Sequence, residues 1–161
     1  MRCMVIIPIF FIGLNVPLFA QKSEELWICP SAEIALYSEQ SFSYGAGFAI
    51  AYGKNASIGL KGVFLFDEQK VLDVLELNLL FRLHFLKEAA NKGPFLQLTA
   101  GPVIFFPREH DIILPAKIGM FSASISFGWR FLFGNTFFIE PQIRGGYPFI
   151  AGASLSAGFK F

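Results

Sequence analysis

Cysteine is nearly absent from this chain of 161 residues, which contains only Cys3 and Cys29. Cys3 lies in an N-terminal segment that we expect to be removed from the mature protein. Cys29 is then left without a partner for an internal disulfide or a cysteine-based metal cluster. We therefore interpret Cys29 as a small buried residue.

Charge of either sign is scarce as well. Lys and Arg number 13, Asp and Glu number 12, and together they make up 16% of the chain. A nearly neutral chain lacks the basic surface with which proteins bind nucleic acid or anionic lipid. The composition therefore predicts no nucleic-acid partner.

Long apolar runs are also missing, although 54% of the residues are hydrophobic and 21 of them are Phe. Beyond residue 20, no stretch approaches the roughly 18 consecutive apolar residues that a transmembrane helix needs. This excludes a helical membrane protein. A membrane-spanning β-barrel remains compatible, because its strands are short and alternate in polarity.

Motifs for catalysis or cofactor binding are absent too. The chain has no glycine-rich phosphate loop and no nucleophile elbow, and Gly45–Gly47 lies within a predicted strand and opens no helix. The polar run Arg-Glu-His-Asp at 108–111 fits a solvated loop tip better than a metal or acid/base site. We therefore predict no catalytic residue, no metal site and no cofactor.

The first twenty residues have the pattern of a secretory signal peptide. A single basic residue, Arg2, precedes an apolar run that ends at Ala20. Leu18 is larger than the residue usually found three positions from a cleavage site, so the cleavage point itself stays open. The alternative is a membrane anchor, which the shortness of the run disfavours. We expect residues 21–161 to form one exported domain.

The last stretch of the chain, 147–161, alternates strictly. Its odd positions from Phe149 to Phe161 are apolar, and its even positions are small or polar. A period of two residues places one set on each face of a β-strand, whereas a helix would spread both sets around its circumference. The chain is therefore predicted to end in a strand.

Similar alternation recurs at nearly even intervals and predicts seven more strands. They span 27–37, 44–52, 56–66, 71–86, 95–106, 118–133 and 136–147. Short turns are predicted at one end of the sheet, at 53–55, 87–94 and the two-residue hairpin 134–135. Loops are predicted at the other end, at 38–43, 67–70, 107–117 and 145–148.

A helix is a serious alternative only at 71–86, since Leu, Glu, Lys and Arg favour helices. The polar residues of this segment, Glu76, Asn78, Arg82 and His84, all share even parity. A helix would point them in scattered directions, so the pattern favours a strand.

Eight alternating strands predict an all-β fold, a single closed antiparallel transmembrane barrel. Within hydrocarbon every backbone N–H and C=O must be paired inside the protein, so strands can cross only as a closed barrel with the apolar face outward. A soluble lipocalin-like binding protein would use the same alternation with the apolar face inward. Pro102 and Pro141 have no N–H for the ladder, so we expect them near bulges or membrane boundaries.

The outward assignment leaves nine charged or titratable side chains for the lumen: Glu33, Lys61, Glu76, Arg82, His84, Arg130, Glu140, Arg144 and Lys160. We expect them to pair across an interior that side chains can fill. The alternative is a narrow path for a small solute, favoured by small inward residues on several strands. An apolar stretch of the lumen, from which a route for hydrophobic molecules could be built, is suggested by Val63, Leu65, Val103 and Phe105.

Phe161, with Phe159 two places before it, resembles the terminal strand of bacterial outer-membrane barrels, which carries the sorting signal read by the barrel-assembly machinery. In pattern, residues 21–161 resemble the small eight-stranded barrels of the OmpA, OmpX and OmpW type. The resemblance implies location in the bacterial outer membrane, with outer-membrane lipid and the assembly machinery as partners. Members of that group act as envelope-structural proteins, as adhesins or host-factor binders, or as routes for small hydrophobic molecules. We expect an envelope-structural or surface role without catalysis.

Overall fold

The computed structural model describes residues 25–37, 42–67, 72–86, 92–109, 112–113 and 117–161. The signal peptide predicted at 1–20 lies outside the described residues, as do parts of three predicted loops and part of the predicted turn at 87–94. Of the polar run at 108–111, only the backbone of its first two residues is described.

The described residues form nine strands: β1 Leu26–Tyr37, β2 Phe42–Tyr52, β3 Ala56–Asp67, β4 Leu72–His84, β5 Gly93–Glu109, β6 Ile112–Ile113, β7 Lys117–Phe133, β8 Phe137–Tyr147 and β9 Phe149–Lys160. Eight of them make one antiparallel sheet in the order β4-β3-β2-β1-β9-β8-β7-β5, and pairing of β4 with β5 closes it into a barrel. The prediction of a closed eight-stranded antiparallel barrel is confirmed.

The strand predicted to end the chain meets the first strand of the barrel. Leu26 N donates to Phe161 O over 3.2 Å, and Phe161 N donates to Leu26 O over 2.8 Å. We call this end of the barrel, which also carries the turns at 53–55 and 134–136, the terminal end. The opposite end, where β1 finishes at Tyr37 and β9 starts at Phe149, is called the distal end.

The outer face of the barrel is apolar. Large side chains on outward parity are widely exposed, as at Leu79 (66%) and Ile143 (65%). Among the described strand side chains, none of the charged ones is exposed on the outer face. The lipocalin-like alternative requires the opposite assignment, so the structure is that of a membrane-spanning barrel. The described residues include no helix long and apolar enough to span a membrane.

Three of the strand prolines lie beside interruptions of the sheet. The register of β5 against β7 shifts between Val103 and Ile104, next to Pro102, and the β4–β5 ladder skips the pair that includes Pro102. The β7–β8 ladder is interrupted beside Pro141, and the β1–β9 ladder beside Pro30. Proline has no N–H to donate, so each gap has a chemical cause.

Two turns at the terminal end test the turn predictions. The turn at 53–55 is confirmed, with Gly53 at a φ of 126° that L side chains rarely adopt. The two-residue hairpin predicted at 134–135 is wrong, because Phe133 pairs with Phe137 and the turn therefore contains three residues. Gly134, at a φ of 66°, supplies the left-handed conformation that starts this turn.

At the distal end, one predicted strand was too short and one predicted loop was wrong. β5 continues to Glu109 and pairs there with β6, so the predicted loop at 107–117 is partly strand. The predicted end of the strand 136–147 at Tyr147 is confirmed, so the overlapping loop predicted at 145–148 reduces to Pro148. Gly145 and Gly146 look like turn residues in sequence, yet Gly145 pairs with Ala151 and maintains the ladder.

The interior holds two apolar clusters as well as polar residues. One lies at the terminal end and contains Trp27, Cys29, Ala49, Ala51, Leu80 and Phe138. The other lies at the distal end and contains Ala35, Val63, Leu65, Val74, Val103 and Phe149, with Phe105 packed against it. The suggested apolar stretch of the lumen is therefore present, and Cys29 is a buried free cysteine as interpreted.

Candidate functional site

Most of the nine side chains predicted to face the lumen lie inside it. Eight of the nine are buried inside the barrel: Glu33, Lys61, Glu76, Arg82, His84, Arg130, Glu140 and Arg144. The ninth, Lys160, lies at the terminal rim, where its Nζ is 3.2 and 3.1 Å from the two carboxylate oxygens of Glu25. The odd–even alternation of the strands predicted that all nine side chains point inward. It carries no information on height along the barrel, so it could not show that Lys160 lies at the rim.

Four of the buried charges form what we call the distal cluster: Glu33, Lys61, Glu76 and Arg144. Lys61 Nζ lies 2.7 Å from Glu33 Oε1, and Arg144 Nη1 lies 3.1 Å from Glu76 Oε2. Arg144 Nε is also 3.8 Å from Glu33 Oε2. The two acids and two bases come from β1, β3, β4 and β8, so the cluster ties together four strands and its formal charges cancel.

The distal cluster rests on an aromatic ring and on neutral polar groups. The guanidinium of Arg144 lies 4.0 Å from the ring centroid of Phe149, at the distance of a cation–π contact. Ser31 Oγ donates to Glu33 Oε1 over 2.7 Å, and Asn78 donates to Glu76 over 3.4 Å. These contacts satisfy part of the hydrogen-bonding capacity of the buried carboxylates.

The remaining ionic contacts form the terminal cluster, which consists of Arg82, Arg130 and Glu140 with Gln97. Arg82 Nη1 donates to Glu140 Oε1 over 2.7 Å, and Arg130 Nε donates to the same oxygen. Arg82 also donates to Gln97 Oε1 from Nε (3.0 Å) and Nη2 (2.6 Å). A single carboxylate therefore serves two buried guanidinium groups.

Three inward aromatic rings enclose those guanidiniums. Arg82 lies between Trp27 and Phe95, with centroid distances of 4.3 and 4.1 Å. Arg130 lies over Phe138 at 3.9 Å and over Trp27 at 5.0 Å. Such stacking stabilises a cation that has been removed from water.

Sequence reasoning missed these rings as members of the site. A signal was available, since Trp27, Phe95 and Phe138 occupy the polar parity of strands whose large residues otherwise point outward.

His84 is at the terminal end, and no ion pair among the described residues includes it. Its ring lies 5.6 Å from that of Phe95, and among the described residues neither of its nitrogens has a hydrogen-bond partner. His84 lies in the lumen as predicted, and among the described residues it has an aromatic neighbour and no ion-pair partner.

Small hydroxyl side chains line the wall between the two clusters. Thr99 and Ser124 share a hydrogen bond of 2.6 Å, and Ser122 donates to Asn78 over 2.6 Å. Within the part of the chain that the structure describes, no hydrogen bond or ion pair joins the distal cluster to the terminal cluster. The lumen is therefore occupied at two separate heights.

The described residues contain no group of three or more His, Cys, Asp or Glu side chains that could hold a metal ion. The buried carboxylates are instead bound to cations of the protein, as in the contacts of Glu33 and Glu140. The arrangement can neutralise and fill the interior, and it offers hydrogen-bonding side chains along one wall.

No protein-family model and no curated protein matches the chain. Solved structures do match. The N-terminal β-barrel domain of Pseudomonas aeruginosa OprF aligns with a TM-score of 0.57 and 18% identity, covering 85% of this chain and 97% of that domain. Neisserial surface protein A aligns with a TM-score of 0.62 and 9% identity, covering 85% and 95%.

A third match is Ail, the attachment invasion locus protein of Yersinia pestis, with a TM-score of 0.51, 12% identity and coverage of 88% and 100%. All three are small eight-stranded outer-membrane barrels. The predicted resemblance to that group is confirmed at the level of the fold. Identities this low leave the specific role to be argued from the residues of this chain.

Proposed function

We propose that this protein is an integral barrel of the bacterial outer membrane with a closed lumen, and that it has an envelope-structural or surface role without catalysis. One observation carries the proposal: the barrel exposes large apolar side chains all round its outside and buries ion-paired charges inside. That distribution is stable only where hydrocarbon, not water, surrounds the barrel.

The closed lumen is supported by the bulk and pairing of its side chains. In the terminal cluster, two arginines pack against three aromatic rings. In the distal cluster, four paired charges lie next to the apolar cluster of the distal end. An eight-stranded barrel has an interior just wide enough for side chains to fill. A filled and internally neutralised interior suits a structural element of the envelope better than a pore.

The proposed partners are outer-membrane lipid around the barrel and the barrel-assembly machinery during insertion. Phe159 and Phe161 both project outward and are widely exposed at the terminal end. This position leaves the aromatic side chains of the last strand free to be recognised before the barrel closes. We propose that the predicted signal peptide directs export. The first and last residues of the barrel domain would then both lie in the periplasm, on the side of the terminal end.

Extraction from isolated outer membranes tests this proposal. The protein should need detergent for extraction, show heat-modifiable migration on gels, and give sheet-dominated circular dichroism in micelles. Recovery of a stable monomer from the aqueous fraction without detergent would refute membrane integration.

A second candidate function is a narrow path for a small solute. It is favoured by the small inward side chains of β7 and β9, which include Ser122, Ser124, Ser126, Ser154 and Ser156. Because these side chains are short and polar, they leave room for water along one wall of the lumen between the two charged clusters. Planar-bilayer recordings separate the two candidates, because the closed barrel should conduct little and a path should conduct steadily.

A further inference from the structure

The two buried clusters differ in charge. The distal cluster contains Lys61 and Arg144 against Glu33 and Glu76, so its formal charges cancel. The terminal cluster contains Arg82 and Arg130 against Glu140 alone, which leaves one positive charge in excess. A guanidinium group stays protonated in proteins, and an uncompensated buried charge is costly. An anion beside the terminal cluster would therefore offset part of this cost.

The terminal end also concentrates buried hydrogen-bond donors that no protein group accepts. Among the described residues, Arg130 Nη1 and Nη2, Gln97 Nε2 and Trp27 Nε1 are buried and have no partner. The unpartnered atoms of the distal cluster, in contrast, are divided between carboxylate oxygens and the nitrogens of Arg144. An excess of donors over acceptors, together with an excess of positive charge, is the chemistry of an anion site.

These donors belong to one group of touching side chains. The Trp27 ring lies against both guanidiniums, and Gln97 uses its oxygen for Arg82, so its amide nitrogen remains available beside the cluster. The one acceptor in the cluster without a partner is Glu140 Oε2, which would repel an anion. Since Arg130 reaches Glu140 through Nε, its terminal nitrogens are the donors left for a ligand.

We propose that the terminal cluster binds a small monovalent inorganic anion of the halide class at the terminal nitrogens of Arg130. One unit of excess charge calls for a monovalent ion. The packing of Trp27, Phe95 and Phe138 around the guanidiniums favours a compact, spherical ion over a larger oxyanion. The bound anion would balance the excess positive charge of the terminal cluster.

Bromide provides a direct probe of the site. The wild-type barrel is refolded and crystallised in sodium bromide, so that the ion is present when the lumen closes, and anomalous scattering is measured at the bromine edge. We expect a peak within hydrogen-bond distance of Arg130 Nη1 or Nη2 and none at Arg144. Peaks confined to exposed lysines, which would indicate an adventitious ion only, or no peak near Arg130, would overturn the proposal.

Salt-dependent thermal unfolding in detergent provides a second test. The wild-type midpoint should rise with sodium chloride and saturate, and should stay flat in sodium gluconate of equal ionic strength. Arg130→Gln should abolish the response to chloride. The matched variant Arg144→Gln, which removes a buried arginine from the balanced cluster, should keep it. Equal wild-type midpoints in the two salts, or a chloride response that survives in Arg130→Gln, would count against the site. If Arg130→Gln does not fold, the bromide measurement on the wild type still decides.

Discussion

Arg82 and Glu140 are 58 positions apart in the chain, yet Arg82 Nη1 lies 2.7 Å from Glu140 Oε1. The two residues belong to β4 and β8, which do not neighbour each other in the sheet, so this contact crosses the lumen. Arg130 on β7 donates to the same oxygen. Among the described residues, Glu140 is therefore the one carboxylate that pairs with the two buried guanidiniums of the terminal cluster.

Removing that carboxylate should be strongly destabilising. Glu140→Ala leaves Arg82 and Arg130 buried without an anionic partner, a loss that typically costs about 3–5 kcal/mol. The measurement is the free energy of unfolding in denaturant for the barrel refolded in detergent micelles.

Ile143→Ala is the matched control, because Ile143 lies on the same strand with its side chain 65% exposed on the outer face. It removes an apolar side chain without uncovering a buried charge, so it should destabilise less than Glu140→Ala. Equal losses from the two changes would show that Glu140 is not an anchor of the interior.

Conductance should be low in the wild type, because the distal and terminal clusters block the lumen at two heights. Arg144→Ala opens only the distal cluster, and Glu140→Ala disturbs only the terminal one. Each single variant should therefore conduct less in planar bilayers than the double variant. A large, steady wild-type conductance would mean that the charges line an open path.

The faces of the strands could be predicted from sequence because alternation is a local property. The alternation along β4 predicts that Glu76 and Arg82 point inward, and this prediction needs no knowledge of their partners. The partners themselves depend on strand order, register and tilt around the closed barrel, which no local pattern records. For this reason the nine expected residues could not be divided into two clusters and a rim pair at Lys160.

Loop predictions failed where local composition and strand pairing disagree. The polar run at 108–111 and the glycines at 145–146 have the composition of loops, yet strand pairing continues at Arg108, Glu109 and both glycines. The aromatic part of the site was missed for a related reason. Large apolar residues were assigned to the outer face, whereas Trp27 and Phe95 serve inside as platforms for arginine.

The last residue should matter for assembly more than for export. Deleting Phe161, or replacing it with Asp, should leave secretion intact and stall insertion, since the terminal aromatic is the proposed recognition element. The measurement is the amount of heat-modifiable barrel in the outer-membrane fraction. Phe161→Tyr, which keeps the ring, is the control and should insert normally. Wild-type insertion of the deletion variant would remove Phe161 from the proposed signal.

A charge on the outer face should cost more at mid-barrel than at its edge. Leu79 is outward, 66% exposed and near the middle of β4, so Leu79→Arg should destabilise the barrel in lipid by about 2–4 kcal/mol. Tyr52 ends β2 at the terminal end of the barrel, where we expect the membrane boundary, so Tyr52→Arg should cost only about 0–1 kcal/mol. Unfolding in lipid vesicles measures both. Similar small losses at the two positions would argue that Leu79 does not face hydrocarbon.

The chain's two tryptophans report on the two sides of the barrel wall. Trp27 is fully buried inside the barrel against the arginines of the terminal cluster, whereas Trp129 is 45% exposed on the outer face. Trp27→Phe leaves only the outer reporter, and Trp129→Phe leaves only the inner one. Both variants keep an aromatic ring at the changed position.

Fluorescence quenching by lipids with brominated acyl chains then tests the membrane-spanning barrel most directly. The barrel is refolded into vesicles of such lipids and compared with the same protein in unbrominated vesicles. We predict strong quenching of Trp129 in the Trp27→Phe variant and little quenching of Trp27 in the Trp129→Phe variant. Quenching of Trp27 with no quenching of Trp129, or no lipid-dependent quenching of either, would contradict a barrel that turns its apolar face to the membrane.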